Sequence, residues 1–273
     1  MAVGGSMSKA DRERSARDRL AEERRRAAAQ QRRRRLLVVV LGAVAAVAVV
    51  VVIVVVALGN RGGDGGPAAQ KYTGPIAPAT RQQDGSVAMA NSGVTAPVLD
   101  VFEDFQCPAC KAMEARVGGT IKKLAAEGRV KVVYRPFQLF QQDPLMSNSR
   151  RAANAAACMP ADHWVKYHDK LYAEQPPEGD KGFSDPDLIK WAGQLGVTAP
   201  SFAACVNGAQ KMGQVDQATA YAGKVGVTAT PFLALNGKQL GNDALGSSDA
   251  LQKAVAQAGS GTPRSAGTAP AQR

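Results

Sequence analysis

Histidine and cysteine are both scarce in this chain of 273 residues: histidine occurs twice, at His163 and His168, and cysteine four times. Four cysteines are too few for the disulfide scaffold of a small secreted domain. A structural zinc site normally takes four ligands, often as two C-x-x-C pairs. Here Cys158 and Cys205 stand alone and the histidines sit five apart, off one helical face, which excludes that donor set. Internal repeats are missing as well. Positive charge is short outside one segment: residues 1–35 hold twelve Lys/Arg against five Asp/Glu, which leaves only four of the net +11 for the remaining chain. The basicity is thus a tail property and does not mark a nucleic-acid surface.

Charge and proline are both absent from Leu36 to Leu58. As a helix these 23 residues would reach roughly 34 Å, enough to cross the hydrocarbon core of a bilayer. A cleaved signal peptide has a shorter apolar region and a small-residue cleavage site. The segment therefore reads as a single uncleaved transmembrane anchor. Arg32 to Arg35 flank its N-terminal side, and such flanks stay cytoplasmic. Residues 1–35 become a basic cytoplasmic tail, and the chain beyond Leu58 an extracytoplasmic part of a cell-membrane protein.

Residues 59–84, rich in Gly, Pro and Ala, read as a flexible linker, able to span roughly 28 Å root-mean-square. Residues 259–273 read as a polar, disordered tail. The folded domain is expected over 85–258. Within it, Ser86–Ala90, Pro97–Glu103 and the run RVKVVYRP read as strands. Met113, Val117, Ile121 and Leu124 form one apolar helical stripe, interrupted by Gly118 and Gly119, where a kink is expected. Residues 143–224 are mainly helical. The segment TPFLALNGKQL closes as a hairpin on Asn236-Gly237, and a last helix follows, capped by Ser247 or Ser248. The order is that of an α/β domain with an inserted helical block.

The stretch VFEDFQCPACKAM carries the chemistry. With Cys107 at the N-cap, Pro108 takes the first helical position, where its missing N–H has no partner to lose. The Cys107 sulfur then faces free N–H groups and the positive end of the helix, which favour a thiolate. Two spacer residues leave Cys110 close enough to close a disulfide. The pair could hold a metal, tie off a turn or exchange electrons, and its place at a strand-to-helix junction outside the cytoplasm favours redox work over a purely structural disulfide.

Three blocks in order, EDFQCPAC, HWVKYHDKLY and GVTATPFLALNG, resemble the DsbA-like branch of the thioredoxin superfamily over about residues 85–258. The resemblance implies a thioredoxin fold with an inserted helical domain and thiol–disulfide exchange without cofactor or metal. Cys107 is implied as the exposed nucleophile, Cys110 as the buried resolving cysteine, and Thr230-Pro231 as a cis-proline loop that receives substrate backbone. Pro231 at the start of an apolar strand fits that role independently, because it leaves the Thr230 backbone open to an extended peptide. The chain departs from the family at Ala109, where many relatives carry histidine, and at Val101, where relatives often carry glutamate. Asp100, Glu103 and Asp104 surround that place; Asp104 matches a frequent family aspartate, and one of these acids is expected to relay protons to Cys110, with Asp104 and Asp100 put first; the alternative is solvated charge at a strand end. Trp164, His168 and Leu171 match the family's helical block as one stripe, with His168 as a packed residue. In an oxidising compartment, Cys158 and Cys205 are expected to pair as a structural disulfide.

The function expected is a membrane-anchored, extracytoplasmic oxidoreductase that donates disulfides to exported proteins and is reset by a membrane redox partner. The alternatives are a reductase or isomerase of the same fold or, in another class, a metal-binding or chaperone-type module.

Overall fold

The computed structural model describes residues 72–260. The expected basic tail 1–35, membrane anchor 36–58, the first half of the linker and residues 261–273 of the polar tail lie outside them. Among the described residues no helix is long and apolar enough to cross a membrane.

The fold starts before residue 85. Ala79–Arg81 (β1) pairs antiparallel with Val87–Met89 (β2). Ala77 is buried, and the Arg81 guanidinium donates to the Ala156 and Met159 carbonyls at 3.1 and 2.7 Å. The linker expected over 59–84 is corrected at this end: a three-residue strand is too short for alternation to show in a Gly/Pro-rich stretch.

Val98–Glu103 (β3) and Lys131–Pro136 (β4) run parallel in the middle of the sheet. Phe232–Leu235 (β5) pairs antiparallel with β3, and Lys238–Gln239 (β6) pairs with β5. The sheet order is β1-β2-β4-β3-β5-β6. Asn236 and Gly237 join the last two strands with φ of 51° and 76°, the left-handed pair that a type I′ hairpin needs.

Between β3 and β4 the chain stays helical, through Pro108–Met113 (α1), one π turn at Glu114–Gly118 and Gly119–Ala126 (α2). The π turn sits where the two glycines interrupt the stripe. Met113, Val117, Ile121 and Leu124 are each at most 2% exposed, and burying such side chains contributes about 1.5–3 kcal/mol apiece. Five helices lie between β4 and β5: Leu145–Cys158 (α3), Ala161–Ala173 (α4), Asp185–Gln194 (α5), Pro200–Asn207 (α6) and Met212–Lys224 (α7). Asn242–Gly246 (α8) and Ser248–Ser260 (α9) complete the described chain. Ser247 caps α9 by accepting the Ala250 N–H.

Strand parity sorts the core. Leu99 and Val101 enter the main cluster with Val117, Ile121, Trp164 and Leu171. Phe102 enters a smaller cluster with Phe137, Ala222 and Val227. Alternate residues of a strand face opposite sides of a sheet, so β3 delivers Glu103 to the face of Leu99 and Val101.

Candidate active site

The turn after β3 sets the cysteines. Cys107 is the N-cap of α1, with extended φ/ψ and Pro108 following. Its backbone N–H donates to the Asp104 carbonyl at 2.9 Å. Cys107, expected to be exposed, is only 6% exposed, because the Thr230–Pro231 loop covers its sulfur; Cys110 is 0% exposed, and both are free thiols. Opposite them, β5 is held in register by Phe102 facing Phe232. That pairing places the Thr230–Pro231 peptide, which is cis, beside the cysteines. The Cys107 thiol donates to the Thr230 carbonyl at 3.5 Å.

The two sulfurs are electrostatically unlike. A hydrogen bond from the Cys110 thiol holds Cys107 down at about 7, against the cost of burial. The Thr230 hydroxyl and the N–H groups of Cys110 and Ala109 add to it. Burial pushes Cys110 well above the ordinary thiol value, and the neighbouring Cys107 and the Glu103 charge push it further.

The acids are not arranged as the sequence suggested. Asp104 is fully buried, but its carboxylate accepts from the Gln106 N–H, the Leu139 N–H and the Ser149 hydroxyl at 2.8, 2.8 and 2.7 Å. It staples the cysteine turn to the segment after β4 and to α3. Asp100 lies on the opposite sheet face and accepts from Arg135 Nε at 2.7 Å, while that guanidinium lies over the Phe102 and Tyr221 rings. Asp104 and Asp100, both expected as a proton relay to Cys110, are thus held by these partners. The acid whose charge acts on Cys110 is Glu103. It shares its sheet face with Val101, the position where relatives often carry glutamate, so parity alone pointed to Glu103.

Glu103 is 0% exposed and reaches His168, also 0% exposed, with Oε2 2.8 Å from Nε2. Burial raises the Glu103 carboxyl. Burial also opposes a charge on His168, yet the Glu103 carboxylate beside it lifts the imidazole to about 10. His168 is packed among Phe105, Tyr134, Trp164 and Tyr172 rings at centroid distances of 4.8–5.7 Å. The expected packed residue is therefore also one half of a buried ion pair. Its sequence signal was its place four residues after Trp164: a histidine on an apolar face needs a polar partner.

Sequence reasoning missed three further residues. Glu114 follows Cys110 by one helical turn, and Lys122 lies 3.4 Å from it and 2.8 Å from Asp169. Gln175, in the loop after α4, donates to the Phe105 and Cys107 carbonyls at 2.7 and 3.0 Å and braces the cysteine turn. In the helical block, Cys158 at the end of α3 is joined to Cys205 in α6, with Cα atoms 6.0 Å apart.

Comparison with known proteins adds a family. A sequence profile described as Thioredoxin matches residues 93–257. A search of curated proteins gives no match. Among solved structures, the chain is similar to the reduced disulfide bond oxidoreductase DsbG of Mycobacterium tuberculosis, with 27% identity, TM-score 0.55, and 64% of this chain and 88% of that one covered. Oxidised DsbA of the same organism gives 28% identity and TM-score 0.54 over 68% of this chain and 94% of that one. BdbD of Bacillus subtilis matches at 19% identity and TM-score 0.58 over 69% and 100%, a likeness of fold.

Proposed function

The chain belongs to the thioredoxin family and is a thiol–disulfide oxidoreductase of the DsbA type, and on that premise we propose that Cys107 and Cys110 are its redox group. The observation that carries this reading is the placement of the two thiols: Cys107 at a helix start against the carbonyl of the cis Thr230–Pro231 peptide, and Cys110 three residues on in full burial. In the donating direction a substrate thiolate attacks Cys107 Sγ of the Cys107–Cys110 disulfide. That bond breaks and Cys110 leaves as a thiolate, which its burial and the neighbouring Glu103 charge then drive to take up a proton. A second substrate thiolate then attacks the substrate sulfur of the mixed disulfide and releases Cys107 as a thiolate. The substrate is oxidised by two electrons and the pair is reduced.

Thr230 and Pro231 form the substrate rest. The Thr230 carbonyl faces the Cys107 sulfur, so an extended peptide hydrogen-bonded along this loop would present its cysteine to that sulfur. The substrates proposed are exported proteins, and a membrane redox partner resets the pair. Placement outside the cytoplasm rests on the span 36–58 and its arginine flank. Protease added to intact spheroplasts should remove the domain and spare residues 1–35.

The direct test is trapping. Cys110→Ala should accumulate mixed disulfides with exported proteins that vanish under reductant, and Cys107→Ala should give none. Equal trapping by both variants would defeat the assignment of roles.

A further inference from the structure

The peptide groups on either side of Cys107 are gripped from outside their own turn. Gln175 lies two residues beyond the end of α4 and is half-buried. Its Nε2 donates to the Phe105 carbonyl at 2.7 Å and to the Cys107 carbonyl at 3.0 Å. Both neighbours are carbonyl oxygens, so only the NH2 end of the amide can face them. Among the described residues no other side chain donates to either oxygen. The clasp is reciprocal: the buried Gln106, between Phe105 and Cys107, reaches back with its own Nε2 to the Pro176 carbonyl at 3.4 Å.

Two features make this more than a bond that fixes a loop. The first is that the loop is already fixed without it. Asn148 in α3 donates to Gln106 Oε1 and to the Asp180 carbonyl, both at 2.8 Å, and accepts the Gly182 N–H at 3.0 Å. Arg151 donates to the Gly182 and Phe183 carbonyls at 2.8 and 3.0 Å. The segment between α4 and α5 is thus an arm of the helical block, and it delivers the Gln175 amide in one geometry. The second feature is which peptide groups that amide holds. The Phe105–Gln106 peptide is gripped on both edges, its oxygen by Gln175 and its N–H by Asp104 Oδ1 at 2.8 Å. The Cys107–Pro108 peptide has no N–H. Its oxygen is its only handle, shared between Gln175 and the Lys111 N–H at 3.2 Å. The tilt of that peptide fixes ψ of Cys107, which is 118°, and with it how the first N–H groups of α1 face the sulfur. Those of Ala109 and Cys110 are among the groups that favour the Cys107 thiolate.

We propose that Gln175 is a positioning residue for thiol–disulfide exchange: it ties the helical block to the peptide groups on both sides of Cys107 and so keeps that sulfur aimed at the start of α1. The inference rests on the assignment of Cys107 as the nucleophile. Without the amide the Phe105 carbonyl loses its donor and the Cys107–Pro108 peptide is free to tilt. The sulfur then loses part of its alignment with the helix N–H groups, the thiolate fraction falls, and attack by Cys107 slows in proportion.

The test uses the full-length chain in detergent, reduced and pulsed with iodoacetamide over a range of pH, with peptide mass mapping to locate the label. Gln175→Met keeps the length of the side chain and removes both donors. The midpoint of the Cys107 labelling profile should rise by about half a unit, which lowers the labelling rate below the midpoint about threefold. Gln175→Asn, whose amide is one methylene short, should fall between Gln175→Met and the unsubstituted protein, and it stays readable where the Met variant does not fold. Cys158→Ser with Cys205→Ser is the comparison for a mere loss of stability: the denaturant midpoint should fall while the labelling profile stays in place. If the profile stays in place in both Gln175 variants, or moves as far in the variant without the Cys158–Cys205 disulfide, Gln175 holds only the loop, and the proposal falls with the cysteine roles intact. If Cys110 is labelled before Cys107 in the unsubstituted protein, the cysteine roles fail and the positioning role fails with them.

Discussion

The domain contains two cysteine pairs, and they are built for opposite ends. Cys158 and Cys205 are 47 residues apart in sequence and tie α3 to α6 inside the helical block. Cys107 and Cys110 are separated by two residues at the start of one helix. A crosslink over a long loop restricts the unfolded chain and so stabilises the fold. A crosslink over two residues restricts it far less. Around the short pair the fold instead supplies groups that tell its two sulfurs apart: the Thr230 hydroxyl and backbone N–H groups on Cys107, and the Glu103 charge on Cys110. Reactivity comes from that asymmetry and not from the presence of a sulfur–sulfur bond.

The sharpest way to break the comparison is to exchange the consequences of removing each pair. Cys107→Ser should reduce turnover of a disulfide substrate to that of buffer, with little change in the denaturant midpoint. Cys158→Ser with Cys205→Ser should do the reverse, keeping exchange while losing about 2–4 kcal/mol of stability. Loss of exchange in the second variant would mean that the helical block's crosslink holds the site itself.

Next in size is the buried pair behind Cys110. Glu103→Gln leaves the His168 charge without its partner and should destabilise the domain by about 3–5 kcal/mol. Replacing both together with apolar residues of similar size should recover most of that loss. The pH dependence has a definite sign. His168 is raised from 6.5 to about 10 in the fold, so its contribution is fully present below about 6.5 and lost as pH rises through about 10. Unfolding free energy should decline across that window by at most about 1.4 kcal/mol per pH unit. His168→Gln should flatten that slope.

A smaller effect separates the two sulfurs of the reactive pair. Thiolate absorbance should titrate with a midpoint near the value of about 7 set for Cys107. In Cys110→Ala the midpoint should climb by about one unit, or 1.4 kcal/mol, because the Cys110 thiol is its largest support. Thr230→Val should raise it by less. A stabilised thiolate favours the reduced state and makes the disulfide more oxidising. With Ala109 adding no charge, the potential is expected above thioredoxin's about −270 mV and below DsbA's about −120 mV. Equilibration with glutathione buffers measures it, and a value at or below thioredoxin's would make the protein a reductase.

Much of the site could be read along the chain, because its parts are local patterns. Cys107, Pro108 and Cys110 sit at a strand-to-helix junction, and Thr230-Pro231 precedes an apolar strand; both are short-range statements about backbone. The Asn236-Gly237 hairpin and the stripe from Met113 to Leu124 are equally local. The short strand Ala79–Arg81 was hidden, since three residues carry no period and its partner lies across a turn.

Which acid serves the site was decided only in three dimensions. Asp100, Glu103 and Asp104 are near neighbours in sequence, but β3 sends Asp100 and Glu103 to opposite faces, Asp104 lies just past the strand, and their partners are Arg135, His168 and Ser149. Glu103 and His168 are 65 residues apart, and neither residue announces the other. Residue type and spacing determined where the Cys107–Cys110 pair sits and the exchange chemistry proposed for it. The tertiary fold decided which carboxylate is buried beside it, because burial and pairing are properties of the assembled faces: a charge removed from water must find its partner among whatever side chains the packing brings there.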